Sequence, residues 1–488
     1  MWRGGKRGGG PILHLKCIHP TIARGVMETK KAKRDDSRNW LTGPFLADVI
    51  RRMRPKDVLT LHGTSRWVRD TIDAMPVVHV NVPWRVNMRN DTPLDHFAFR
   101  VSRKEVHATM NKGFKRWSRE PVENLFDWEG DERRRRRITH LEIDWDCADT
   151  ACPPLQLLFP SLVSLRVHNS HTLLSIPPVL RLTSLCVSSC DHVDSLPFLS
   201  SLQSLKIVSC CELASLPSLP SLASLYVEDC VELKSLPLFP SLESLHVFLC
   251  GGLTSLPPLP SLRSLCVEQC GALASLPRLS SLTSLRIGYC GALTALPRLP
   301  SLTSLSVEGC DALTALPSLS SLASLHVDGC DALTALPSLS SLTSLYVEGC
   351  DALTSLPSLS TLTSLHMLYC DGLASLPVLT SLESLYVFEC TALTALPALP
   401  SLVSLDVRSC DGLMSLPPLP SLKTLYVMEC STLVALPALP SLVFLDVCGC
   451  NGLTSLPLSL PPLDVLCVKR CEHIPDRVEP ATYRSRFC

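Results

Sequence analysis

Between Ser161 and Leu460 the apolar residues return with a period of twenty, in fifteen consecutive blocks. In the block Ser301–Ser320 the frame is Leu302, Leu305, Val307, Cys310, Leu313, Leu316 and Leu319. Leu305 and Val307 alternate with Ser304 and Ser306, a period of two that predicts a strand over Ser304–Glu308 with one buried and one exposed face. The second half of each block carries a proline such as Pro317, often with another, as at Pro297 and Pro300. Proline removes a backbone donor and opposes helix, so this half is expected to be extended or polyproline-like. A fixed apolar phase separates the array from a disordered Ser/Pro/Leu tract. One block buries too little apolar surface to offset the ordering of its own chain, so it folds only between neighbours, as a solenoid. A degenerate turn, PPLDVLCVKRC, runs one residue out of phase and ends at Cys471.

The pattern LxxLxVxxCxxL followed by LP resembles the leucine-rich repeat. That resemblance implies an α/β solenoid, a horseshoe of stacked parallel strands with an extended or polyproline convex side, over residues 138–476. The twenty-residue length and the LP pair look like the short repeats of bacterial effectors. The cysteine and its CxxL spacing look like the cysteine-containing repeats of eukaryotic F-box proteins.

That cysteine recurs fourteen times without a miss from Cys190 to Cys450, and Ser170 holds its place in the first block. Three roles compete. Disulfides between adjacent blocks have plausible Cα separations, but in-register side chains point in parallel. A metal needs ligands that converge, and a linear ladder does not converge. The third role is a small buried group whose thiol donates weakly to a neighbouring loop carbonyl, and this is the expectation. It fits a reducing compartment, hence an intracellular protein of cytoplasm or nucleus. Near the end, Cys448, Cys450, Cys467 and Cys471 are more closely spaced, as zinc ligands or as residues of a capping turn.

Inside the constant frame, the two exposed strand positions change from block to block. Leucine-rich repeats bind partners on this concave face, so the resemblance makes it the candidate surface for a target protein. Tyr226, Tyr346, Tyr386 and Tyr426, with His246, Phe248, His366 and Phe388, supply amphipathic anchors. Glu268, Glu308, Asp328 and Glu348 form an acidic stretch that favours a basic or mixed partner surface. Asp311, Asp331 and Asp351 reinforce it at the strand ends. Drift on a solvated face after duplication is the competing explanation. His246, His326 and His366 lack ligand spacing and are expected to be exposed rather than metal-bound.

Upstream, LTGPFLADVIRRMRPKDVLTLHGTSRWVRDTI spaces Leu46, Val49, Ile50 and Met53 as on a helix, with Pro55 at a junction and Asp57 as a cap. The segment PKDVLTLHGTSRWVRDTI resembles the F-box, which implies a small helical domain over 39–75. Carried over, Pro44, Leu46, Ile50, Pro55, Val58, Leu59, Leu61 and Trp67 would face the Skp-type adaptor of a cullin ubiquitin ligase. A generic helical bundle is the alternative. Residues 1–38 read as a disordered basic tail, 76–137 as a linker or capping region with a strand at VVHVNV, and 477–488 as a tail. ITHLEIDWD reads as the first, capping strand of the solenoid.

The chain's 45 basic and 45 acidic residues cancel, but residues 1–150 hold 30 and 20 of them, leaving the remainder with the opposite imbalance of ten. Opposed halves argue for different partners. KKAKR and Arg133–Arg137 suit import signals, a nucleic-acid patch or a solvated linker, and no finger or helix-turn-helix pattern accompanies them, so nucleic acid is not an expected partner. No apolar run of about eighteen residues points to a membrane. No phosphate loop, HExxH helix or GxSxG elbow occurs, so neither an enzyme nor a cofactor is expected. The leading expectation is a substrate-recognition subunit of an SCF-type ligase. A stand-alone interaction scaffold or host-directed effector is the alternative, and a nucleic-acid-associated factor the weaker one.

Overall fold

The computed structural model describes residues 78–82, 97–101, 106–110, 138–144, 155–170, 173–457 and 460–474. They fall into two compact units, the division running within one strand, after Leu165. The first unit holds β1 (Val78–Val82), β2 (Phe97–Val101), β3 (Val106–Met110), β4 (Ile138–Asp144), a single turn of helix α1 (Leu155–Leu158) and the start of β5 (Ser164–Ser170). VVHVNV thus contains a strand, as its alternation predicts. β1 and β2 pair antiparallel, as do β2 and β3, while β3 runs parallel to β4 with an irregularity between Val106 and His107. Leu141, Leu155, Phe159, Leu162 and Leu165 are buried here. The helical segment expected over 39–75, with all eight candidate adaptor contacts, lies outside the described residues.

The second unit is the solenoid. Its strands are β6 (Ser184–Cys190), β7 (Ser204–Val208), β8 (Ser224–Glu228), β9 (Ser244–Phe248), β10 (Ser264–Glu268), β11 (Ser284–Gly288), β12 (Ser304–Glu308), β13 (Ser324–Asp328), β14 (Ser344–Glu348), β15 (Ser364–Leu368), β16 (Ser384–Phe388), β17 (Ser404–Arg408), β18 (Thr424–Met428), β19 (Phe444–Cys448) and β20 (Val465–Lys469). Each pairs parallel and in register with the next, so that Leu305 faces Leu325 and Leu325 faces Leu345. The last pairing is offset by the extra residue of the degenerate turn, with Leu445 against Leu466. From Leu162 to Leu453 the leucines, strand valines and ladder cysteines of the frame are buried, and Leu456 of the last block is half-buried.

A phase change at the ninth position lets the cysteine enter the core. Strict alternation after Val307 would send residue 309 inward and 310 outward. Instead the ninth residue adopts a left-handed conformation in turn after turn: Ser209 at φ 50°, Tyr289 at 52°, Gly309 at 52°, Glu429 at 53°. The chain kinks, Cys310 turns inward, and the freed N–H of Gly309 donates to the carbonyl of Asp328 on the next strand (2.8 Å). Glycine takes this position at 309, 329 and 349 without the Cβ crowding that left-handed backbone imposes.

The rest of each turn is extended, crossing to the next through isolated parallel bridges such as Ala335–Ser355 and Ala395–Ser415. Side chains close the carbonyls that proline leaves open: Ser321 donates to the carbonyl of Pro300 (3.0 Å) and Ser421 to that of Pro400 (2.8 Å). Thr283, Thr303, Thr343 and Thr363 each donate to the carbonyl of the residue one turn earlier.

Candidate functional site

The ladder thiols are a matter of scaffold. All cysteines among the described residues are free. Cys310 Sγ donates to the carbonyl of Glu308, at the end of its own strand (3.4 Å), and Cys330 to that of Asp328 (3.5 Å). Some reach back a turn as well, as Cys370 does to Val347 (3.6 Å). The acceptors are therefore strand carbonyls, not the loop carbonyls expected from the sequence. Ser170 is buried in the same place and its Oγ accepts from the N–H of Leu173 (2.9 Å), so what the position requires is small and hydrogen-bonding. Burial pushes most ladder thiols up, Cys290 to about 11 and Cys330 to about 12, the wrong direction for a nucleophile; Cys390 and Cys450 differ, lowered by their thiol bonds with Cys370 and Cys430. Among the described residues no group of His, Cys, Asp and Glu is placed to hold a metal ion, the cluster at Cys448 to Cys471 included.

Arg166, Lys206 and Arg286 stay exposed, but most concave strand positions are half-buried, because long side chains cover their neighbours one strand away. Those at the sixth position form a ladder of rings. His326 stacks on Tyr346 with centroids 4.4 Å apart and planes 11° from parallel. Tyr346 stacks on His366 at 6.0 Å, and His366 lies against Tyr386 at 5.7 Å. The histidines are thus built into an aromatic row instead of standing free in solvent. Tyr226 and His246 form a shorter stack at 6.1 Å. Phe388, at an eighth position, meets Tyr369 edge-on at 5.2 Å, and Tyr426 packs against Phe444 at 4.7 Å.

Cations of the same face are consumed by these rings and by carboxylates. Lys206 Nζ sits 4.2 Å from the centroid of Tyr226. Arg286 Nε donates to Glu268 (2.7 Å) and its Nη2 lies 3.0 Å from Glu308, spanning three strands. Gly288 lies between those two glutamates, where an added Cβ would meet their side chains at 3.4–3.9 Å. Arg408 holds Asp406 through two bonds of 2.8 Å and lies 5.7 Å from the Tyr386 ring. Two tyrosine hydroxyls donate to acids two residues on, Tyr226 to Glu228 (2.7 Å) and Tyr346 to Glu348. The bond to Glu228 pushes the Tyr226 phenol up to about 12. Burial, together with Glu348, raises that of Tyr346.

The acidic stretch is real as a row but uneven in its chemistry. Glu308, Asp328 and Glu348 face one another across paired strands. Glu268 and Glu308 share Arg286, whereas burial and the neighbouring Glu348 raise the carboxyl of Asp328. His326 Nε2 approaches Glu308 at 3.9 Å. The structure therefore brings His326, Asp328, Tyr346, Glu348, His366, Tyr386 and Phe388 onto four consecutive strands, with Tyr226, His246 and Phe248 towards one end of the face and Tyr426 towards the other. The cation partners Lys206, Arg286 and Arg408, and Tyr369 and Phe444 beside the variable positions, were not singled out from the sequence. Aligning the blocks at the twenty-residue step would have placed Arg286 between Glu268 and Glu308.

No protein-family model and no curated protein matches the chain. Solved structures do. YopM from Yersinia enterocolitica WA-314 is 26% identical over 68% of this chain and 74% of its own, with a TM-score of 0.50. The solenoid is a leucine-rich repeat of the twenty-residue kind. A YopM described as a leucine-rich effector protein from Yersinia pestis is 28% identical over 56% of this chain and 85% of its own, at a TM-score of 0.36. The leucine-rich repeat domain of the type III effector XopL is 27% identical over 44% of this chain and 69% of its own, at 0.25. Of the two repeat patterns mixed in the sequence, the short effector-like one thus has a solved counterpart in YopM from Yersinia enterocolitica. Among the described residues no helix is long and apolar enough to cross a membrane.

Proposed function

We propose that this chain is a non-enzymatic protein-binding scaffold whose concave face holds a target protein. The observation that carries this is the row His326–Tyr346–His366–Tyr386. Rings are large, rigid contact surfaces with little side-chain entropy to lose, and on this face they are stacked in advance of any partner. The extended far side carries short serine and threonine bonds that close the solenoid itself. Free cysteines throughout the described residues support a reducing, intracellular setting. The likeness to YopM supports the effector-type scaffold as the form of this function. Substituting Tyr346, Tyr386 and Tyr426 together by alanine in the full chain should abolish capture of partner proteins. Unchanged capture would overturn the reading.

The second reading, a substrate receptor of an SCF-type ligase, rests on the F-box resemblance of PKDVLTLHGTSRWVRDTI. It requires the full chain to co-precipitate a Skp-type adaptor, and Pro55→Ala/Leu59→Ala to lose it. Absence of adaptor from the wild-type precipitate would reject it and leave the scaffold reading intact.

A further inference from the structure

The charge imbalance of the solenoid half has one source. Between Arg298 and Arg408 the chain contains no lysine or arginine, yet it carries ten carboxylates, from Glu308 to Asp406. This stretch includes the whole of β12 to β16 and the four-ring ladder. Elsewhere on the concave face the chain answers its rings and acids with its own cations: Lys206 on Tyr226, Arg286 between Glu268 and Glu308, Arg408 on Asp406 and Tyr386. On β13 and β14 the same elements recur, adjacent carboxylates at Asp328 and Glu348 beside the stacked His326 and Tyr346; the Tyr346 hydroxyl donates to Glu348, and among the described residues no lysine or arginine is paired with either acid.

Resting on the reading of the concave face as a protein-binding surface, we propose that Asp328 and Glu348, with the His326–Tyr346 stack, form a clamp for arginine side chains on an extended segment of the partner protein. Arg286 shows how the clamp is filled. A planar guanidinium reaches carboxylates on two strands at once, which the single point charge of lysine does less well. It also lies favourably against an aromatic ring, as Arg408 lies near Tyr386. Neighbouring parallel strands lie about 4.8 Å apart and alternate side chains of an extended chain about 6.7 Å apart, a difference that the long, flexible arginine side chain spans over two adjacent turns. Like charges this close repel, and an incoming cation relieves the repulsion. The partner is thus selected by arginine content as well as by apolar contact, and its approach is steered by the field of the acidic turns.

The test uses the full chain and a fluorescent decapeptide of alternating arginine and serine, read by anisotropy at about 150 mM salt, where long-range attraction is largely screened. The clamp predicts saturable binding that weakens on the order of tenfold or more in Asp328→Asn/Glu348→Gln, as expected for loss of charge-assisted bonds. It predicts weaker binding of the lysine–serine peptide, none of the glutamine–serine peptide, and no change in Glu228→Gln. The double variant keeps the fold, shown by an unfolding midpoint that does not fall. Equal affinity for wild type and the double variant, or absence of binding to wild type, overturns the clamp. If reversing Arg133–Arg137 to glutamate is what allows the peptide to bind, the occupant is this chain's own arginine run, and the assignment to a partner fails. Partner capture that depends on Tyr346, Tyr386 and Tyr426 but ignores Asp328→Asn/Glu348→Gln would remove the arginine clamp and keep the concave-face reading.

Discussion

His326 and Tyr346 occupy paired positions on adjacent strands, their rings 4.4 Å apart and 11° from parallel. Twenty residues of chain separate them, and the register of the solenoid alone brings them together. A double-mutant cycle with His326→Ala and Tyr346→Ala, read by denaturant unfolding, should give a favourable coupling of about 0.5–1.5 kcal/mol. A coupling of zero would mean that the ladder is mere adjacency.

Gly309 and Gly329 share one backbone conformation but not one environment. A Cβ on Gly309 would stand 2.6 Å from the ring of Tyr289, whereas on Gly329 it would meet nothing nearer than 3.9 Å. Gly329→Ala should therefore carry only the left-handed backbone cost, about 1 kcal/mol, which Ser209 and Glu429 already bear at their own turns. Gly309→Ala should cost visibly more, and Tyr289→Ala should remove the difference. Equal midpoints for the two alanine variants would contradict this packing.

The carboxyl of Asp328 is raised by burial and by Glu348, against the help of His326 and with Glu308 beside it. A carboxyl raised on folding binds more protons in the folded than in the unfolded state. Its effect on stability is then unfavourable at neutral pH and is relieved as pH falls through the folded pKa. Asp328→Asn should raise the melting temperature at pH 7, and the gain should shrink as pH falls into the carboxylate range. Asp411 behaves oppositely: bonds from Ser431 lower it, so its contribution is present at neutral pH and lost on acidification.

Cysteine reactivity separates scaffold from surface. Cys211 is exposed, while Cys310 and its equivalents are buried. Burial and the carboxylates of Asp191 and Asp229 raise the Cys211 thiol, so its alkylation should be slow at pH 7 and keep accelerating above the ordinary thiol pKa. Site-resolved mass spectrometry of the native protein should find Cys211 labelled and Cys310 protected until denaturant is added. Prompt labelling of Cys310 would mean that the ladder is open to solvent.

The fold was legible because its determinants are periodic. Leu305 and Val307 state a strand face, Pro317 excludes a helix, and repetition identifies the neighbour of every strand. The site was legible by column and illegible by contact. Tyr346, Glu348 and Tyr386 are where the alternation places them, but that His326 is stacked follows from the pairing of strands, not from its own surroundings in the chain. Arg286 is the clearest case, since its glutamates lie 18 and 22 residues away and bracket it only once the turns are laid in register. The left-handed ninth position was also hidden, because Ser, Asp, Leu, Gln, Tyr and Gly all take it. It is imposed by the cysteine that must turn inward after it.

The central claim is that partner proteins are held on the concave face at the ring ladder. A photo-crosslinking residue placed at Tyr346 and, separately, at Thr354 in the exposed half of the same turn tests it most directly. Protein adducts from position 346 and none from position 354 are predicted. Adducts from 354 with none from 346 would contradict the account.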